Sequence, residues 1–156
     1  MQKTLPMNTA IFHLSFPVRD IASTTEFYVL GLGCKIGRQS AVAMMLNFHG
    51  NQLVAHVTDK PGSPQLNIYP RHFGLVFETE KEWNEWRDRA QKKKLEFFRE
   101  PHRRFAGTPL EHLSFFLKDP SDNILEFKFY LNTNAIFGEE RFSQIGDEHE
   151  RRASEK

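Results

Sequence analysis

The sequence predicts an α+β fold made of two β-α-β-β-β modules. Three observations carry this expectation. The same order of elements occurs twice at similar length, which is an internal repeat of pattern rather than of identity. Short apolar runs with alternation read as strands, and they are separated by Gly-, Pro- and Asn-rich turns. One charged stretch in the second half carries Trp83, Trp86 and Ala90 at helical spacing.

In the first module, Ala10–Val18 reads as a strand. Asp20 offers an N-cap for a helix over Ile21–Leu30, which Gly31 and Gly33 stop. Cys34–Gln39 and Val42–Phe48 read as strands. His49-Gly50-Asn51 is a tight turn into a strand over Gln52–Thr58. Residues 59–70 hold Pro61, Gly62, Pro64 and Pro70 and form a linker.

The second module opens with a strand over Arg71–Glu78 and a helix over Thr79–Lys94. A strand over Leu95–Glu100 leads to a long loop with Pro101, Gly107 and Pro109. Strands over His112–Leu117 and Ile124–Tyr130 flank the turn Asp119-Pro120-Ser121-Asp122-Asn123. The expected organisation is a flexible 1–9, a module over 10–58, the linker 59–70, a module over 71–130 and a charged tail over 131–156. The tail reads as a solvated appendage, though Ile136, Phe137, Phe142 and Ile145 offer apolar anchors.

Composition excludes several classes. The chain has 156 residues, of which 39% are hydrophobic, enough for a core. Lys and Arg number 21 against 20 Asp and Glu, so no net basic field for nucleic acid exists. Phe supplies 15 of 20 aromatic residues, which suits a core or an apolar pocket wall. Cys34 stands alone, so intrachain disulfides and multi-thiolate zinc sites are out. Any metal must sit on His and carboxylate. No segment reaches the roughly 18 apolar residues of a membrane span, and no signal-peptide pattern opens the chain. A cytoplasmic protein is expected, with no membrane partner.

Three histidines lie inside apolar strands: His13, His56 and His72. Alternation puts His13 with Ser15, His56 with Gln52 and Val54, and His72 with Gly74 and Val76. Glu126 shares a face with Lys128 and Tyr130, inside the apolar run Ile124–Phe129. Burying that carboxylate alone costs several kcal/mol, so it needs a metal or a cation. Each residue has a plainer use. A lone strand His is more often simply hydrogen-bonded, and Glu126 could pair with Lys128 at an edge. Their placement in matching strands of a repeat points to convergence on one centre. Two His and one carboxylate leave metal positions open, which suits Fe2+ or Mn2+; Zn2+, Ni2+ and Co2+ accept the same donors.

These segments carry a resemblance. Phe12-His13-Leu14-Ser15-Phe16-Pro17-Val18, Arg19-Asp20, Phe27-Tyr28 and Leu30-Gly31-Leu32-Gly33 make up its first part. His72-Phe73-Gly74-Leu75-Val76-Phe77 and Phe115 through Asp119-Pro120 to Glu126-Phe127 make up the rest. Over about residues 10–130 the chain resembles the vicinal oxygen chelate superfamily. That superfamily includes glyoxalase I, type I extradiol dioxygenases and the fosfomycin and bleomycin resistance proteins. The resemblance implies paired modules whose curved, cup-like mixed sheet surrounds a divalent metal. By position it implies His13, His72 and Glu126 as ligands. His56 falls where glyoxalases place a fourth ligand, normally a Glu that is also the base.

Around the implied cup, His112 is a candidate acid or base, or else a half-solvated strand-start residue. Tyr130 is a candidate catalytic donor, and Lys128 either contacts substrate or pairs with Glu126. Gln52 is a candidate supporting group, and Phe116 a pocket-lining one. The loop Arg99–Gly107, with Arg103 as its chosen contact, could close over an anionic substrate or simply be solvated. The expected function is a divalent-metal-dependent, dioxygenase-like enzyme acting on a small oxygen-bearing molecule. Alternatives are a glyoxalase-type lyase or isomerase, an antibiotic thiol transferase, or a binding protein without chemistry. A homodimer is expected.

Overall fold

The computed structural model describes residues 10–146 and divides into two compact units, one ending at Pro61 and one starting at Gly62. Unit 1 is β1 (His13–Val18), α1 (Ile21–Thr24), β2 (Lys35–Gln39), β3 (Ala43–Phe48) and β4 (Asn51–Val57). Unit 2 is β5 (Phe73–Phe77), α2 (Glu80–Lys92), β6 (Phe97–Arg104), β7 (His112–Lys118) and β8 (Ile124–Tyr130), followed by a short 3-10 turn. Both are β-α-β-β-β, as the repeat predicts. Among the described residues, no helix is long and apolar enough to cross a membrane.

Each unit is a four-stranded mixed sheet of the same topology, β1-β4-β3-β2 and β5-β8-β7-β6. In unit 1, β1 pairs parallel with β4, while β3 pairs antiparallel with both β4 and β2. In unit 2, β5 pairs parallel with β8, and β7 pairs antiparallel with β8 and β6. A parallel pair needs a crossover, and here the helix supplies it.

Asp20 caps α1 by accepting from the Ser23 N–H at 2.6 Å. The expected helix over Ile21–Leu30 is helical in a different way. After one α-turn it widens into a π-helix over Thr25–Gly31. Its end is closed by the Leu32 N–H donating to the Phe27 carbonyl at 2.9 Å. Phe27 and Tyr28 are thereby buried together, with Tyr28 5.3 Å from Phe16 of β1. Thr79 caps α2 and accepts from the Glu82 N–H at 3.2 Å, the first half of a capping box.

The core of unit 2 is aromatic. Phe115 and Phe127 stack at 5.0 Å between neighbouring strands, and Trp83 meets Phe115 edge-on at 5.5 Å. The Trp83 indole N–H donates to the Phe127 carbonyl at 2.9 Å, so α2 is tied to the sheet as well as packed on it. Strand β6 corrects one expectation. Arg99–Arg104 is strand and not loop, and it follows β7 through irregular register near Arg99. The turn at Asp119 is built by its carboxylate, which accepts from the Ser121 and Asn123 N–H groups at 2.8 Å each. That turn sets the register of β8 on β7.

Candidate functional site

Register decides which side chains share a face. In β7 and β8 the pairs are His112↔Tyr130, Ser114↔Lys128 and Phe116↔Glu126, and directly paired residues lie on the same side. On the other flank, Gly74 pairs with Glu126 and brings in His72, just ahead of β5. From β6, Arg104 pairs with His112 and so joins this face. Arg103 pairs with Leu113 and faces the other way, where it donates to Glu111 at 2.5 Å.

Gly74 is required where β5 crosses Glu126. A Cβ at that position would overlap the Glu126 carbonyl oxygen and lie 2.6 Å from its carbon. The missing side chain lets the two strands approach beneath the pair they carry.

At the centre, His72 Nε2 lies 3.0 Å from Glu126 Oε2. The His72 Nδ1–H donates to the Ile68 carbonyl at 2.6 Å, and this fixes the ring and aims Nε2 at the carboxylate. Ser114 donates to Glu126 Oε1 at 2.9 Å. Lys128 Nζ stands 3.7 Å from Oε2, and Arg104 stands 3.9 Å from Oε1. Phe116, only 1% exposed, meets the His72 ring edge-on at 5.4 Å and supports it from the core side.

Burial alone would raise the Glu126 carboxyl. The hydrogen bond from His72, with Lys128 and Ser114, overrides this and holds it at about 2. Burial would likewise depress His72, but its bonds to Glu126 and Ile68 prevail and its pKa rises above the ordinary range. His112 behaves oppositely: burial, reinforced by Lys128 and Arg104, pushes it below the usual value. Its Nδ1–H donates to the Leu110 carbonyl at 2.9 Å, which leaves Nε2 as an acceptor. The His112 and Tyr130 rings lie 4.7 Å apart.

These residues open onto a cavity of about 620 Å³, within the range of small-molecule sites. His72, Arg104, His112, Glu126, Lys128 and Tyr130 all line it. Arg104 was the residue least visible in the sequence. The segment after β8 lines the cavity as well, from Ala135 to Gly146. The described part of the expected solvated tail is thus a wall of this site.

In unit 1, His13 is exposed and its Nδ1–H donates to Gln52 Oε1 at 2.8 Å. Gln52 is held in turn by donating to Met45 Sδ at 3.4 Å. Gln52 is the direct register partner of His13, whereas His56 pairs with Pro17, four residues further along. His56 is exposed and does not reach His13 through that register. Among the described residues, no group of three or more His, Cys, Asp and Glu side chains stands ready to hold a metal.

The donor chemistry still fits a divalent ion. Two ligands at about 2.1 Å and at right angles would be about 3 Å apart, the spacing of His72 Nε2 and Glu126 Oε2. The anchored Nδ1 and the Ser114 hydroxyl are the kind of outer support that metal ligands carry.

Residues 10–127 match the Glyoxalase/Bleomycin resistance protein/Dioxygenase superfamily. Among solved structures, the chain is similar to a glyoxalase/bleomycin resistance protein/dioxygenase from Alicyclobacillus acidocaldarius. Identity is 39%, the TM-score is 0.79, and the match covers 83% of this chain and 97% of that one. It is also similar in fold to the fosfomycin resistance protein FosX from Listeria monocytogenes, at 16% identity, TM-score 0.62 and coverage of 83% and 99%. A lactoylglutathione lyase from Agrobacterium tumefaciens shares the fold at 16% identity, TM-score 0.58 and coverage of 78% and 96%. No curated protein sequence matches the chain significantly. With this match over most of its length, on two modules of the expected topology, the chain belongs to the glyoxalase/bleomycin resistance protein/dioxygenase superfamily.

Proposed function

We propose that the protein is a divalent-metal-dependent enzyme acting on a small oxygen-bearing molecule, with dioxygenase-like chemistry as the first reading. The His72–Glu126 pair on the floor of the cavity carries this reading. Both residues are proposed as metal ligands. His13 is proposed as another, because its ring is anchored at Nδ1 in the same way and leaves Nε2 available. A bound Fe2+ or Mn2+ would supply Lewis-acid and oxygen chemistry to a substrate presenting adjacent oxygens.

The chain's own residues then have distinct tasks. Ser114 holds one carboxylate oxygen of Glu126 in place. His112, kept neutral by burial, is the proposed proton acceptor at Nε2. Tyr130, its ring tilted against that of His112, is the proposed hydroxyl donor. Gln52 fixes His13, Phe116 backs His72, and Lys128 and Arg104 face the substrate. Arg103, which pairs with Leu113 and donates to Glu111, is left without a role at this face.

A glyoxalase-type lyase is the second reading, favoured by the shared fold but lacking a carboxylate beside His13, where Gln52 stands. The protein is taken to act as a cytoplasmic homodimer. The test loads metal-free protein with Fe2+, Mn2+, Zn2+, Ni2+ or Co2+ in turn and screens catechols and diketones for oxygen uptake, with thiol adducts in parallel. Oxygen uptake with Fe2+ or Mn2+ supports the first reading. Turnover of thiol adducts with Ni2+, Zn2+ or Co2+ replaces it with the second. No turnover with any metal leaves a ligand-binding protein.

A further inference from the structure

The cavity of unit 2 has two unlike sides. Its floor is polar, with Arg104, Lys128, His112 and Tyr130 around Glu126. The rest of its lining comes largely from the segment following β8, which contributes Ile136, Phe142 and Ile145. This wall lies beyond residue 127, where the match to the superfamily ends.

The wall is fixed at both ends. At its start, the Leu131 N–H donates to the Glu111 carbonyl at 3.2 Å, and Asn132 Nδ2 donates to the Pro109 carbonyl at 3.2 Å. Asn132 Nδ2 also donates to Glu139 Oε1 at 2.9 Å, which closes the segment on itself. At its end, Gly146 takes φ +74° and lies against the Tyr69 hydroxyl. A Cβ there would overlap that hydroxyl and stand 2.8 Å from Cζ. Tyr69 in turn accepts from Arg104 at 3.4 Å. The wall, Tyr69 and Arg104 are therefore one connected set.

Charge on the floor is unbalanced. Two permanent cations, Arg104 and Lys128, face one carboxylate, Glu126, which already holds His72 at 3.0 Å, so the floor carries at least one surplus cation. The wall does not cancel it at the floor. Glu139 is engaged by Arg141 Nε at 3.3 Å and by Asn132, and Glu140 is exposed to solvent at the rim. One surplus cation suits a monoanion, and the apolar wall suits a hydrocarbon group attached to it.

We propose that residues 133–146 complete a binding cavity for a small organic carboxylate bearing an apolar group, with Arg104 and Lys128 holding the carboxylate. This deepens the reading above by taking the same cavity as the substrate site, but its test requires neither metal nor turnover.

The test titrates metal-free full-length protein with benzoate and with acetate by calorimetry. The same titrations follow on Arg104→Gln, Gly146→Ala and Ile145→Asn. Ile145 is 77% exposed, so its substitution leaves folding intact should Gly146→Ala not fold. Benzoate is expected to bind at least about tenfold more tightly than acetate. Arg104→Gln should weaken both by about tenfold, the worth of a charge-assisted contact. Gly146→Ala or Ile145→Asn should reduce the benzoate preference towards parity and leave acetate unchanged. The proposal is overturned if benzoate does not bind, if Arg104→Gln changes neither affinity, or if both wall variants keep the full preference. Metal uptake measured on the same samples reports separately on the metal-enzyme reading.

Discussion

His72 Nε2 and Glu126 Oε2 stand 3.0 Å apart, and each side chain is anchored by a second hydrogen bond. Ile68 fixes the imidazole from behind, and Ser114 fixes the carboxylate from the side. Two strands of opposite ends of the module, β5 and β8, meet here because Gly74 lets them. The pair is therefore a product of the backbone as much as of its own chemistry.

The carboxylate should dominate the acid limb of stability. Glu126 is depressed to about 2 in the fold, from an ordinary 4.5. Its contribution is complete above the unfolded value and is lost as pH falls from there towards about 2. The shift corresponds to on the order of 3 kcal/mol. Glu126→Gln should flatten this loss in urea melts recorded across that range. His72, raised in the fold, works in the other direction: its contribution is full below the ordinary His value and declines as pH rises through its raised one. A Glu126→Gln variant whose acid limb matches the parent would refute the assignment.

Gly74→Ala should be costly out of proportion to one methyl group. Its Cβ would overlap backbone, which cannot step aside as a side chain could. A loss of about 1–3 kcal/mol or more is expected, from displacement of β5 against β8. Gly50→Ala is the contrast, since nothing lies within 4 Å there and the cost comes from φ +85° alone. That strain is worth about 1–2 kcal/mol. Thermal melts of the two variants, with metal affinity measured alongside, separate them: only Gly74→Ala should disturb metal binding.

Much of this was legible before the structure. Strand β8 matches its expected bounds, Ile124–Tyr130, because the Asp119-Pro120 turn marks its start and its apolar alternation runs to Tyr130. Glu126 and His72 could be singled out because a carboxylate and an imidazole interrupt apolar runs. Arg104 could not. Register shifts in β6 reset the two-residue alternation, so the choice between Arg103 and Arg104 depends on pairing with β7. The wall was legible in part: its charged composition reads as solvated tail, but Ile136, Phe137, Phe142 and Ile145, the apolar anchors visible in the sequence, all line the cavity. His56 was singled out only through the family resemblance, and in the register of unit 1 the residue directly opposite His13 is Gln52.

Ser114→Ala tests the outer support of Glu126. The hydroxyl is fully buried and donates only about 2.9 Å away. Its removal should cost about 1 kcal/mol of stability. Metal affinity should fall by about tenfold or more, as for other supporting groups around a metal. Equal affinity in competition titrations with a chelating dye would show that Ser114 serves the core alone.

Trp83→Phe isolates the tie between helix and sheet. The change keeps most of the aromatic packing on Phe115 but deletes the N–H bond to the Phe127 carbonyl. The buried carbonyl loses a donor, so about 1–3 kcal/mol should be lost. Metal affinity should not change, because Trp83 packs against the sheet face opposite Glu126.

His72 and Glu126 are the proposed holders of a divalent metal. The most direct measurement is the metal content of protein purified without chelator or affinity-tag metal, beside His72→Ala and an Arg103→Ala control. Arg103 pairs with Glu111 and lies off this face, so its loss should be silent. Stoichiometric metal, with iron or manganese prominent, is expected in the parent and the control, and its loss is expected in His72→Ala. Metal retained in His72→Ala, or none bound by the parent even when supplied at micromolar concentration, would contradict that assignment.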